Sequence, residues 1–384
     1  MEGTRERNQA VDAIRGFALF GILVVNVLSF HSPHFMYGGS DAFYDGAGSG
    51  WLMAMIDMFF QASFYPLFAM LFGLGLALMA RRLQEREPED MKRVLRRRML
   101  ALGLFGLLHG LLIWYGDILL TYSIVGLLTI PLIHKSIRTL VTWAVSMLGS
   151  VTVLMTLMNY GMRDYLSSYR DTAAIQQSMN LYDGSYADIL SRNVIDWQVM
   201  FNPVQILIMV LTIMPMFLLG VIVVKAGWVD EPKRHAQVMT KWLIVSAVIF
   251  FLFKIAPHFV GNPAWFDFTK QSIGGSFSSF FYFLVGMFVL PKLNVAWLAA
   301  VGKLSLTNYL TQSLIAFLFF YGVGFGFYGD LQLAQLMVYV LVVYSLQVLF
   351  SNLYVAQFRY GPFEWVYRTL TYGQKQPIRR SKSS

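Results

Sequence analysis

His109 and Asp117 stand in GLLHGLLIWYGDILLTYSIVGLL, a stretch from Gly106 to Leu128 that is apolar enough for lipid. An ionisable side chain in hydrocarbon is costly, so it marks either a function or a close partner. Histidine titrates near neutral pH and suits a general base, with a carboxylate to orient its ring. Two quieter roles stand beside that one: a helix-to-helix hydrogen bond for His109, and an N-cap on the next helix for Asp117. In VDAIRGFALFGILVVN, Asp12 and Arg15 are three residues apart and meet on one helix face. Asn26 returns to nearly that face about 16 Å further along. This stripe reads either as a headgroup ion pair plus a helix-bonding amide, or as part of a site. Asn26 is then the third candidate catalytic group with His109 and Asp117, an amide able to polarise a carbonyl.

Further polar groups fall where substrate could bind. Gln61 and Ser63 open the second apolar run, and GKLSLTNYLTQS sets Ser305, Asn308 and Gln312 at i, i+3 and i+7. That spacing makes one polar helix stripe, facing inward. In QFRYGPFEWVYRTLTYG, Arg359, Glu364 and Arg368 flank a Gly-Pro break that starts an amphipathic helix. With Arg81, Arg82 and Arg96 to Arg98 they form a basic rim, suited to anionic lipid or to the phosphates of a cofactor. His31 and His34 stand near no carboxylates but Asp41 and Asp45, so no metal site is expected.

The elements that carry these groups follow from composition. Of 384 residues 57% are hydrophobic and only 13% charged, against about a quarter charged in soluble domains. Helix-length apolar runs without dyad alternation predict an all-α polytopic membrane protein, since lipid leaves no backbone group unsatisfied. Ten spans are expected, at 11–28, 58–80, 98–115, 118–134, 139–160, 203–224, 241–257, 272–290, 296–320 and 331–355. The chain has no cysteine, which excludes disulfides and thiolate chemistry. Its net charge of +9 is read as loop anchoring rather than nucleic-acid binding. All Lys and Arg except Arg163, Arg170, Arg192, Lys254 and Lys270 fall on one set of loops. That bias predicts a multi-pass plasma-membrane protein with both termini cytoplasmic. Residues 1–372 form one transmembrane domain and 373–384 a basic cytoplasmic tail. The loop 161–202 reads as short amphipathic helices on the membrane surface. No inverted pair of broken helices is evident. Glycines such as Gly73 and Gly75 are expected to face lipid and leave a homodimer open.

The blocks DAIRGFALFGILVVN, FYPLFAMLFGLG, LLHGLLIWYGDIL, GKLSLTNYLTQS and YGPFEWVYR together resemble the YeiB-like family of bacterial membrane proteins. The resemblance covers essentially the whole chain and implies a membrane protein loosely associated with transport. More distantly, the first span resembles transmembrane acyltransferases of the heparan-α-glucosaminide N-acetyltransferase type, through Asp12, Arg15 and Asn26. That resemblance implies acyl transfer from cytoplasmic acyl-CoA to an acceptor across the membrane. It also implies a catalytic histidine after the first span, where this chain has His31 and His34 but no Trp-Asn-Gly pattern.

Two functions suit this layout. The first is acyl transfer with acyl-CoA as co-substrate and no metal. Asp12, Arg15, Arg359, Glu364 and Arg368 hold the donor, and His109, Asp117 and Asn26 catalyse. Gln61, Ser63, Asn308 and Gln312 bind a small-molecule, glycan or lipid acceptor. The second is transport or export of a small polar or anionic solute past the same groups. Both readings expect the polar stripes to converge in one solvated chamber open to the exterior.

Overall fold

The computed structural model describes residues 2–44, 46 and 48–379, with side chains from residue 9 onward. Asp45 and the tail residues 380–384 lie outside them, as do the side chains of Arg5 and Arg7. Among the described residues the regular structure is helical, apart from isolated bridges at Gly38–Arg170 and Phe358–Arg379. The helices used below are α1 (Glu2–His31), α2 (Ser49–Phe59), α3 (Phe64–Arg86), α4 (Met91–Leu112), α5 (Leu119–Thr129) and α6 (Ile137–Gly161). The loop segment 161–202 contains α7 (Thr172–Tyr182) and α8 (Tyr186–Met200). There follow α9 (Pro203–Lys225), α10 (Ala236–Phe250), α11 (Gly275–Val289), α12 (Ala296–Lys303), α13 (Ser305–Phe320), α14 (Leu333–Gln357) and α15 (Pro362–Tyr372).

Seven helical segments among the described residues are long and apolar enough to cross a bilayer: Gln9–His31, Ser49–Arg86, Ile137–Gly161, Pro203–Lys225, Ala236–Phe259, Ala264–Lys292 and Leu333–Gln357. The chain is an all-α polytopic membrane protein. Each of the other three expected spans falls short for its own reason. Met91–Leu112 carries three consecutive arginines, Leu119–Thr129 has 11 residues, and 296–320 is interrupted at Leu304 between α12 and α13.

Small residues set the closest crossings, because no hydrophobic force draws helices together in lipid. A Cβ on Gly73 would strike the Phe217 carbonyl of α9, and one on Gly220 would strike the Met70 carbonyl of α3. Gly73 thus serves an internal contact. Gly75 faces the Arg15 guanidinium 3.4 Å away, so this pair does not present a lipid-facing surface to a second copy.

Two further expectations change. Gln61 and Ser63 do not open a span but lie at a break inside one, where Ala62 adopts φ 53° and separates α2 from α3. The loop helices α7 and α8 turn a polar face into the bundle and form a cap on it. Arg192, Asn193 and Asp196 of α8 are at most 1% exposed. Arg192 pairs with Asp196 at 2.8 Å, while Tyr37 and Tyr182 donate to the same carboxylate, each at 2.8 Å. A polar face that finds partners inside the protein has no reason to seek headgroups.

Candidate functional site

One cavity of about 310 Å³ opens at the end of the bundle that carries the basic residues. Its wall brings together Arg15 of α1, Arg98 of α4, Lys303 of α12, and Arg359 and Arg368 on either side of the Gly-Pro break. Two carboxylates, Asp12 and Glu364, share that wall. Deeper in, the lining turns apolar and aromatic through Ile22, Phe68, Phe72, Leu102, Ile118, Leu119 and Tyr309.

Both carboxylates are already engaged. Asp12 pairs with Arg15 at 2.8 Å, one helical turn away as its spacing requires. Glu364 accepts from the backbone N–H of Leu306 at 2.7 Å and of Thr307 at 3.0 Å, and from the Thr307 hydroxyl. It thereby caps the first turn of α13, whose free amide groups and positive dipole end favour a carboxylate. Burial pushes the Glu364 carboxyl above its usual range, while the Thr307 and Leu306 donors pull it back. Two of the cations are held by aromatic rings. Arg98 lies over Tyr367 at 4.7 Å, and Arg368 over Tyr360 at 4.3 Å and Tyr372 at 5.7 Å. Stacking fixes a guanidinium but leaves its edge N–H groups free; the Arg368 Nε is buried without a hydrogen-bond partner among the described residues. The cavity therefore has five cations and two occupied carboxylates at its mouth, and an apolar lining behind them.

His109 and Asp117 stand directly behind its floor. The His109 Nδ1 lies 2.8 Å from Asp117 Oδ1, and Asp117 Oδ2 accepts from the Leu120 N–H at 2.8 Å. Asp117 is thus both orienting carboxylate and helix cap. Since a carboxylate only accepts, the neutral ring carries its proton on Nδ1 and keeps a lone pair on Nε2. That Nε2 is buried with no hydrogen-bond partner among the described residues. The ring lies 5.4 Å from that of Tyr309, tilted by 54°, and Tyr309 itself lines the cavity. Gly106 makes the arrangement feasible, because a Cβ there would meet Asp117 Oδ2 at 2.6 Å.

Asp12, Arg15, Arg359, Glu364 and Arg368 converge, and Arg98, Lys303, Tyr309, Tyr360 and Tyr367 join them. The signal for Arg98 was its position eleven residues before His109 on the same helix; Lys303 opens GKLSLTNYLTQS. Other candidates go elsewhere, and the single chamber open at the opposite end does not form. Asn308 donates to Ser351 at 3.0 Å, and Gln312 to Gln347 at 2.9 Å, so their stripe is bound to α14. Ser63 receives Ser278 of α11 at 2.7 Å, and the Gln61 carbonyl receives Lys254. Asn26 is half-buried one turn beyond Ile22, outside the cavity lining and with no hydrogen bond among the described residues. His31 takes the Leu331 N–H on Nε2 at 2.9 Å, and His34 meets Ser32 at 2.8 Å. These two rings are locked into loop structure.

Residues 223–374 match a family described as a protein of unknown function, DUF418. The uncharacterised protein YxaH of Bacillus subtilis (strain 168) is 30% identical, over 98% of this chain and 96% of its own length. The uncharacterised protein YeiB of Escherichia coli (strain K12) is 29% identical, over 95% and 96%. An uncharacterised 39.9 kDa protein encoded in the amylase 3′ region of Bacillus acidopullulyticus is 25% identical, over 99% and 98%. No solved structure matches.

Proposed function

The chain belongs to the YeiB-like family, and from its cavity we propose a membrane-embedded acyltransferase that takes an acyl group from cytoplasmic acyl-CoA to an acceptor at the outer face. The supporting observation is the pairing of a five-cation mouth with a histidine whose Nε2 is free behind the apolar floor. Phosphates of the donor fit Arg15, Arg359 and Arg368, and the acyl arm follows the apolar lining inward. In this reading the excess of basic residues at this end supports a cytoplasmic position for it and for both termini at the cell membrane.

In this reading Tyr309 turns aside to admit the acyl group to His109. The Nε2 lone pair takes the proton of an acceptor O–H or N–H. The acceptor atom then bonds to the acyl carbon, the carbon–sulfur bond breaks, and the thiolate leaves to be protonated. Asp117 keeps the ring in the tautomer that permits this. Asn26, without another partner, is the amide free to polarise the carbonyl; Gln312 is already committed to Gln347.

The test uses purified protein with acetyl-CoA. Binding raises the unfolding temperature, and free thiol release reports slow transfer to water against a chain that has no cysteine of its own. Replacing His109 by Gln keeps the thermal shift and lowers thiol release about 100-fold or more. No acetyl-CoA stabilisation in the wild type overturns the proposal. A second reading, export or uptake of a small anion, is favoured by the break at Ala62, since interrupted spans with freed carbonyls are a transporter feature. Solute flux through proteoliposomes without thiol release selects it.

A further inference from the structure

Just before the start of α3, away from the basic mouth of the cavity, apolar spans carry a second concentration of charge that neither reading uses. Lys270 contacts Asp57 at 2.6 Å, Asp267 at 2.8 Å and Asn262 at 2.9 Å. His258 reaches the same Asp57 oxygen at 3.0 Å. Lys254 is fully buried, and its only hydrogen bond among the described residues goes to the Gln61 carbonyl. Among the described residues no carboxylate lies within ion-pair distance of Lys254. The groups grade from surface to interior: the Asp267 side chain is 45% exposed, Asp57 20%, Lys270 3%, and Lys254 not at all.

The backbone is irregular at the same place. Lys254 and Lys270 each lie in a π-helical turn, Phe251–Ile255 and Lys270–Gly274, a form found mostly at functional positions. Ala62 and Asn262 both adopt positive φ, uncommon outside glycine. The break at Ala62 frees carbonyls that side chains from elsewhere hold: Tyr282 binds Phe59 at 2.9 Å, Ser279 binds Ser63, and Lys254 binds Gln61. Helix α6 adds only hydroxyls to this neighbourhood, Thr152 on Ser272 and Thr156 on Thr269. Strain and buried charge together at a helix break point to a switchable element.

We propose that this cluster is a proton-binding site whose occupancy, through Lys254 and the α2–α3 break, sets the width of the cavity at the other end. A proton arriving from the Asp267 and His258 side is accepted by the Lys254 amine, which becomes an ammonium and tightens its hold on the Gln61 carbonyl. A charged donor makes roughly twice as strong a hydrogen bond as a neutral one. The held segment is the start of α3, and Phe68, Leu71, Phe72 and Gly75 of that helix form the cavity wall. Gly75 lies about 20 Å along α3 from the break. The proposal stands whether the cavity serves acyl transfer or transport.

The absence of native cysteine permits a direct test. Gly75→Cys places a thiol in the cavity, with Arg15 3.4 Å from the new Cβ, and Gln84→Cys gives an exposed reference on the same helix. The ratio of their labelling rates by a water-soluble maleimide, each corrected for the thiolate fraction measured at its own position, removes the intrinsic pH dependence of the thiols. In the otherwise unaltered protein this ratio changes several-fold between about pH 6 and pH 9. Lys254→Arg, which stays charged, fixes the ratio at its low-pH value. Lys254→Met and Asp57→Asn flatten it. A ratio that does not vary with pH, or one that varies equally with Lys254→Arg in place, overturns the proposal. Should Lys254→Met fail to fold, Lys254→Arg and Asp57→Asn still decide.

Discussion

The cavity and the loop cap both gather arginines and carboxylates at an end of the bundle, yet they are built oppositely. In the cap, Arg192 and Asp196 neutralise each other, the two tyrosine hydroxyls complete the carboxylate, and Gln177 takes another guanidinium N–H at 3.0 Å. Nothing there is left to offer. In the cavity, cations outnumber carboxylates, Asp12 offsets only Arg15 while Glu364 caps α13, and open volume remains. Buried charge alone therefore does not mark a site. Unspent hydrogen-bonding capacity facing open space does.

The sharpest way to break this contrast is to remove one partner in each region. Asp196→Ala strands the Arg192 guanidinium, whose side chain is 1% exposed, and is expected to destabilise the protein by about 3–5 kcal/mol. A large fall in thermal midpoint or loss of folded yield would register it. Unchanged stability would mean that the cap network is dispensable. The double variant Arg359→Ala with Arg368→Ala should leave the fold nearly as stable, because neither cation has a carboxylate partner among the described residues. Its effect is on ligand: two charge-assisted contacts of about 1.5–3 kcal/mol each are lost, so titration with CoA should show well over tenfold weaker binding. Equal affinity would show that the rim is only a lipid anchor.

The smallest effect concerns Glu364. Burial raises its carboxyl in the folded state. A raised value means that the protonated folded form is favoured, so the associated stability is complete at acid pH and is lost as pH rises through the folded value. Glu364→Gln removes this dependence. Thermal midpoints of the two proteins should diverge towards neutral pH, with wild type losing ground to the variant. Parallel curves would place Glu364 in a fully solvated setting.

Composition and apolar run length were enough to read the fold class, since backbone groups in lipid admit few solutions. The cavity charges were legible too, because Asp12, Arg15, Arg359, Glu364 and Arg368 interrupt or border apolar helices where water must reach them. The stripe of Asn308 and Gln312 was legible as inward-facing but not as bonded to α14. A helical period gives a direction around one axis and says nothing of the neighbour on that side. The cap and the Ala62 break were hidden for a related reason. Arg192 and Asp196 have ordinary surface spacing, and Ala62 is a good helix former, so only distant partners could bury the first two and unwind the third.

By itself the sequence determined that this chain lives in a membrane, that its last residues are basic, and that His109 and Asp117 are set among apolar residues. Those properties depend on local composition, and the solvent enforces them. Tertiary structure alone decided which polar groups spend their hydrogen bonds on each other and which keep them for something else. That choice depends on side chains from helices far apart in the chain meeting at specific distances, as the Glu364 carboxylate meets the Leu306 and Thr307 amides. No stretch of residues contains that information before the helices pack.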